Sequence, residues 1–146
     1  VMKKKDKSYN LLMVGTGALK KTIEDKIKEY HLTDCVQIIE RIPNSEIWEL
    51  YRLADAFINL NQQEIFGMAI LEAMYYGCKV VAWNAPGPNL IIENGVSGWL
   101  AESNEEVISA VKNTGDISEK AHKRIVDKFT WGSSAKKMKL ITNNDI

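Results

Sequence analysis

The stretch AFINLNQQEIFGMAILEAMYYGCKVVAW, residues 56–83, decides the fold. AFINL (56–60) is a short apolar run bounded by polar residues, the pattern of a strand. The segment from Gly67 to Tyr76 is apolar at helical spacing and is closed by Gly77, a residue suited to a helix C-terminus. KVVAW (79–83) then gives a second β-branched strand. A strand, a helix and a strand in this order form a parallel βα unit.

The same alternation extends both ways. Upstream, NLLMV (10–14) reads as a short buried strand followed by the glycine turn GTG. A helix comes next, with Leu19, Ile23, Ile27 and Tyr30 at helical spacing. VQII (36–39) is the next strand, and a helix is expected from about Asn44 to Leu53. Downstream, a loop NAPGPN leads to a short helical turn at LIIEN and a last edge strand at GWLA. Ser103-Asn104-Glu105-Glu106 is a capping-box pattern that opens a helix. Two terminal helices follow, one from Ser118 to Lys128 and one after FTW (129–131), with Thr130 as N-cap and Ala135, Met138 and Leu140 facing inward. The expected fold is α/β, a Rossmann-like parallel sheet of about five strands flanked by helices.

Composition narrows the function. The 146 residues are 45% hydrophobic, enough for one sizeable core. The 19 basic and 19 acidic residues cancel, which leaves no electrostatic footprint for nucleic acid or an anionic membrane. Lys3, Lys4, Lys5 and Lys7 are interrupted by Asp6 and read as a solvated helix end. Cys35 and Cys78 form no CxxC or Cys/His cluster and read as reduced core residues. No apolar run approaches the roughly 20 residues of a membrane span, so a cytoplasmic domain is expected. His31 and His122 lack metal-spaced neighbours and read as ordinary helix residues. No metal or cofactor is expected.

The candidates for chemistry are Glu64 and Glu72, which taken singly read equally as a solvated loop residue and a surface position of an amphipathic helix. In an open parallel sheet, ligands bind beyond the carboxyl ends of the strands, where the following helices begin. Glu64, Phe66 and Gly67 occupy such a loop, and the N–H groups of Gly67, Met68 and Ala69 form a helix N-terminus that favours phosphate. Gly67 lets a bulky anion approach the main chain. Glu72 lies about one to one and a half turns further along. A carboxylate is a poor phosphate partner but a good bidentate acceptor for paired hydroxyls. Two carboxylates bracketing a phosphate site therefore suggest a nucleotide sugar.

These residues, in the run EIFGMAILEAMYYGCKVVAWNAPGPNLIIENGVSGWL, resemble the donor-binding half of retaining, nucleotide-sugar-dependent glycosyltransferases of the GT-B fold, the group 1 family. The shared features are Glu-x7-Glu around an FG turn, an EAM-x-x-G-x-VVA run and a G-x-x-G strand. VGTGALKKTIEDKIKEYHL, VQIIERIPNSEIWELYRLADAFINL and FTW are similar to further family segments, so the likeness covers nearly the whole chain. It implies that Glu64 holds hydroxyls of the transferred sugar and acts at the reacting centre. It also implies that the amides from Phe66 to Ala69 bind the diphosphate and that Glu72 takes the ribose hydroxyls. Arg41, Ile42 and Asn44 match the stretch that meets the base, while Gly15 and Gly17 line the same crevice or serve conformation alone. The implied donor is a UDP-, GDP- or ADP-sugar, and the implied acceptor is a glycan or lipid-linked sugar in polysaccharide biosynthesis.

The chain departs from the family at three places. PGPNL stands where many members have GG-x-x-E, so Leu90 replaces a glutamate. Glu40 follows VQII where glycine is common. The family's Arg and Lys that neutralise the diphosphate precede the region covered, as does the acceptor-binding N-terminal domain. Residues 1–146 are thus expected to be the C-terminal donor domain without its first strand, a gap that Val1–Tyr9, another chain or nothing fills, and to be inactive alone. Three rival readings stand beside this one. A dinucleotide oxidoreductase is suggested by VGTGALK and Glu40, although Lys20 replaces the third glycine. The others are a nucleotide-sugar epimerase and a non-catalytic partner subunit.

Overall fold

The computed structural model describes residues 9–113 and 115–143; for 137 and 140–143 it describes the backbone only. The basic run at Lys3–Lys7, the role of residues 1–8 in filling a strand gap, and the inward side chain of Leu140 lie outside the described residues. The chain divides into two compact units, Val1–Ile47 and Trp48–Ile146.

In the first unit, β1 (Leu11–Val14) pairs in parallel with β2 (Val36–Ile39), Leu11 opposite Val36 and Val14 opposite Ile39. Helix α1 (Lys20–Glu29) is the crossover between them. The Gly15 N–H donates to the Ile39 carbonyl at 2.9 Å and prolongs the pairing. Helix α1 ends in a Schellman motif: the His31 N–H donates to Lys28 O at 3.0 Å and the Leu32 N–H to Ile27 O at 2.8 Å. His31 is accordingly left-handed, with φ 55°, in a position glycine usually takes. The expectation of a buried first strand is corrected here. Leu11 and Val14 are each 45% exposed, because the described sheet of this unit has two strands only.

The second unit holds the core. Strands β3 (Phe57–Asn59), β4 (Val80–Trp83) and β5 (Trp99–Ala101) run parallel in the order β3-β4-β5. The five expected strands are therefore all present and parallel, in sheets of two and three. Helix α2 (Ile47–Leu53) precedes β3 and starts later than expected, because Pro43 to Glu46 close a turn through Glu46 N–H and Pro43 O. Helix α3 (Met68–Tyr75) links β3 to β4 and buries Ile70, Leu71, Ala73 and Met74. With so much apolar surface it cannot be a one-faced surface helix. It packs against the sheet on one side and helix α6 (Ser118–Lys128) on the other. Full burial of Ile70 or Met74 stabilises by roughly 1.5–3 kcal/mol each. Gly77, with φ 77°, ends α3 in a second Schellman motif, where the Cys78 N–H donates to Ala73 O at 2.9 Å.

Helix α4 (Pro86–Ile91) corrects the expected loop at NAPGPN. Pro86 occupies the first helical turn, where a missing N–H costs nothing, and holds Ala85 extended before it. Arg124 of α6 fastens the other end of α4, donating to the carbonyls of Ile91 and Leu90 and pairing with Glu93 at 3.3 Å. Helix α5 (Asn104–Lys112) begins as the sequence predicts, with the Glu106 N–H donating to Ser103 Oγ at 3.2 Å. The Glu106 carboxylate reaches one residue further back than the standard box and accepts from the Glu102 N–H at 2.8 Å. Lys79 Nζ donates to the carbonyls of Val111 and Asn113 at 2.9 and 2.7 Å, a cation placed at the negative end of α5.

Helix α7 (Trp131–Asn143) also differs from expectation. Thr130 does cap it, accepting from the Ser133 N–H at 3.3 Å. Ala135 is exposed and Met138 is 68% exposed, however, and the main neighbour of α7 is α6.

Both cysteines are free thiols, and Cys78 is 3% exposed. Burial pushes the Cys78 thiol from its usual 9.0 up to about 11. Between these values the unfolded chain binds fewer protons than the folded one, so stability falls as pH rises. The expected loss is about 2 kcal/mol from pH 9 to 11. Urea unfolding across that range, compared with Cys78→Ala, should show a shallower slope in the variant.

Candidate functional site

The loop from Leu60 to Phe66 joins the carboxyl end of β3 to α3. Glu64 is half-buried within it and held on three sides. Its Oε2 accepts from the side-chain amides of Asn59 and Asn61 at 3.3 and 3.5 Å, and its Oε1 from the Phe66 N–H at 3.4 Å. Asn61 is fixed in turn, since its N–H donates to Asn59 Oδ1 at 2.9 Å and its own Oδ1 accepts from the Gln63 N–H at 3.1 Å. The glutamate is therefore presented by a small amide network instead of moving freely in solvent.

Gly67 follows as the N-cap of α3, left-handed at φ 94° and ψ 56°, and no side chain caps the helix. A Cβ there would stand 3.0 Å from Ile70 Cδ1 as well as in a conformation that L side chains rarely adopt. The first intrahelical bonds to Gly67 O come from the N–H groups of Ile70 and Leu71. The amides of Gly67, Met68 and Ala69 thus stand at the positive end of the helix dipole without intrahelical acceptors. Phe66 and Met68, 45% and 59% exposed, flank this terminus.

One turn further, Glu72 is half-buried and accepts from the Tyr51 hydroxyl at 3.2 Å. From the other side, α4 presses on the loop. The Gly87 N–H donates to Glu64 O at 2.9 Å. A Cβ on Gly87 would lie 2.5 to 2.6 Å from the backbone N, C and O of Phe66, so only glycine permits this approach. Beside it, Asn84, Ala85, Pro86, Asn89 and Leu90 line an open depression. Asn84 donates to Glu102 at 2.7 Å and accepts from Asn89 at 2.8 Å. Leu90 is 62% exposed.

The second unit thus brings Glu64, Phe66, Gly67, Met68, Ala69 and Glu72 to one loop and helix terminus. Gly15, Gly17, Arg41, Ile42 and Asn44 belong to the first unit, beyond the carboxyl ends of β1 and β2. Arg41 and Asn44 are exposed and Ile42 is half-buried. Gly15 needs its freedom at φ 142°, whereas a Cβ on Gly17 would meet nothing within 4 Å. Glu40 is engaged by Lys20, the residue at the third-glycine position of the dinucleotide pattern. Each shifts the other, Glu40 downward and Lys20 upward, through their hydrogen bond and then their charges. Among the described residues, no group of three His, Cys, Asp or Glu could hold a metal ion, and no helix is long and apolar enough to cross a membrane.

Sequence reasoning missed four supporting residues. Asn59 and Asn61 carried a faint signal, as amides at the end of an apolar strand. Gly87 was marked only by its place between two prolines. Tyr51 read as core.

Parallel strands joined through helices, with an uncapped helix terminus and two carboxylates beyond the carboxyl end of β3, define an α/β domain of the Rossmann-like kind. The family model for glycosyl transferases group 1 matches residues 1–141, and the chain belongs to that family. Its relatives include the amylovoran biosynthesis glycosyltransferase AmsD of Erwinia amylovora, 30% identical over 129 residues, or 87% of this chain and 35% of AmsD. Among solved structures, sucrose-phosphate synthase from Thermosynechococcus elongatus superposes with a TM-score of 0.79 at 21% identity, over 92% of this chain and 38% of that one. HepE from Anabaena, solved in complex with UDP-glucose, gives 0.72 at 21% identity over 94% and 41%. The fold is that of GT-B glycosyltransferase domains, and the chain spans little more than a third of the length of AmsD.

Proposed function

We propose that this chain is the donor-binding domain of a retaining glycosyltransferase that takes a hexosyl residue from a nucleoside diphosphate sugar and passes it to a glycan or lipid-linked acceptor. One observation carries the reading: the uncapped N-terminus of α3 stands between two half-buried carboxylates, Glu64 in the loop before it and Glu72 a turn inside it. The amides from Phe66 to Ala69 would take the diphosphate, that of Phe66 in exchange for its bond to the Glu64 carboxylate. As the bond from the anomeric carbon to the diphosphate oxygen breaks, negative charge grows on the leaving group, and fixed N–H donors and the helix dipole stabilise it there. Glu64 would hold sugar hydroxyls, since a carboxylate placed against phosphate is repulsive. Glu72 would hold the ribose diol, and Arg41, Ile42 and Asn44 the base, with Gly15 and Gly17 beside them. No cofactor is required in this scheme.

The acceptor would be bound by an N-terminal domain outside this chain, residues 1–146 being the C-terminal donor domain. The free thiols suit a reducing cytoplasm. HepE's complex with UDP-glucose supports a uridine nucleotide as the first donor to try. The oxidoreductase alternative is weakened by Lys20, which occupies the third-glycine position and pairs with the acid that would bind a ribose.

Competition calorimetry on the intact protein tests the reading with UDP-, GDP- and ADP-sugars against NAD. At least one nucleotide sugar should bind more tightly than NAD. If NAD bound more tightly than every sugar nucleotide, the donor reading would fail.

A further inference from the structure

The ring of Tyr51 is 6% exposed and locked among aromatic neighbours. It meets Phe57 edge-on at 5.6 Å and stacks on Tyr76 at 6.3 Å, with an interplanar angle of 13°. A tyrosine held in this way has a fixed hydroxyl position, and a buried hydroxyl needs a partner. Here the partner is the carboxylate of Glu72, whose Oε2 accepts at 3.2 Å. Burial and the neighbouring Glu72 charge hold the Tyr51 phenol above its ordinary value, so it remains a donor throughout the neutral range.

Glu72 is a long side chain at the edge of α3, only half-buried, and left to itself it would sample several rotamers. A flexible side chain that must be ordered on binding weakens the affinity it confers. The Tyr51 hydroxyl anchors one carboxylate oxygen, Oε2, before any ligand arrives. We propose that Tyr51 is a positioning residue for nucleotide binding, fixing the Glu72 carboxylate in the orientation that accepts the two ribose hydroxyls. The proposal rests on the assignment of Glu72 to the ribose. Tyr51 itself touches no ligand in this scheme and acts through Glu72 alone.

Tyr51→Phe tests it, because it removes the hydroxyl and keeps the ring in its aromatic setting. The intact protein is titrated with UDP, GDP and ADP, and the tightest of the three is then compared with its 2′,3′-dideoxy analogue. The wild type, Tyr51→Phe, Glu72→Gln and the double variant are measured alike, each with its unfolding temperature. Tyr51→Phe should weaken the nucleoside diphosphate about threefold to tenfold, the range set by one immobilised side chain. The dideoxy analogue should bind wild type and Tyr51→Phe equally. On the Glu72→Gln background, the tyrosine substitution should add nothing.

Suppose Glu72→Gln discriminates between the two ligands while Tyr51→Phe leaves both unchanged or weakens both equally. Positioning by Tyr51 is then overturned and the ribose assignment survives. If Glu72→Gln itself weakens both ligands equally, the ribose assignment is wrong and the Tyr51 proposal falls with it.

Discussion

Glu64→Ala in the intact protein is expected to lower sugar transfer on the order of a hundredfold or more while leaving affinity for the bare nucleoside diphosphate nearly intact. The asymmetry follows from placement. Glu64 lies in the loop before α3, where the sugar would sit, whereas the nucleotide would be held by the α3 amides and by Glu72. Removing the carboxylate leaves the sugar free to turn, and the anomeric carbon loses the near-attack alignment on which much of the rate depends. Asn59 and Asn61 would then face a vacancy, but both are accessible enough for water to satisfy them. Steady-state transfer to an identified acceptor, paired with titration of the nucleoside diphosphate against the same variant, measures both halves. Transfer at the wild-type rate, or nucleoside diphosphate binding lost as fully as activity, would reassign Glu64.

Gly87→Ala should be the most damaging small substitution outside the two glutamates. Its new methyl would stand 2.5 to 2.6 Å from three backbone atoms of Phe66, and backbone cannot swing aside as a side-chain tip can. Either α4 or the Glu64–Gly67 loop must move. Arg124 ties α4 at its far end through two carbonyls, so the loop is the part expected to yield. Overpacking of this kind costs about 1–3 kcal/mol of stability. The displaced loop also carries Glu64 and the first amides of α3, so transfer should fall beyond what the lost stability explains. Thermal unfolding and donor titration on Gly87→Ala check this. A variant with unchanged unfolding temperature and unchanged donor affinity would show that α4 does not set the loop.

The order and type of the elements were legible because they depend on short-range chemistry. An apolar run, a glycine and a helical repeat are enough to place β3, α3 and β4. Gly77 ends α3 and Ser103 caps α5 through bonds to residues three to five positions away. The NAPGPN stretch reads as loop from its clustered Pro, Gly and Asn, yet a proline in the first turn is compatible with a helix. Ala135 and Met138 of α7 are exposed for a different reason: apolar spacing marks a face, but not what stands opposite it.

By itself, then, the sequence determined the parallel βα alternation, the free amides at the start of α3 and the glutamates on either side of them, all properties of contiguous residues. Only the tertiary structure decided how those glutamates are held and which neighbours they tolerate. Tyr51 meets Glu72 across 21 positions, and Gly87 meets Phe66 through a backbone approach that no propensity records. Such contacts depend on where separate elements come to rest, and that is fixed by packing instead of by the periodicity of any one segment.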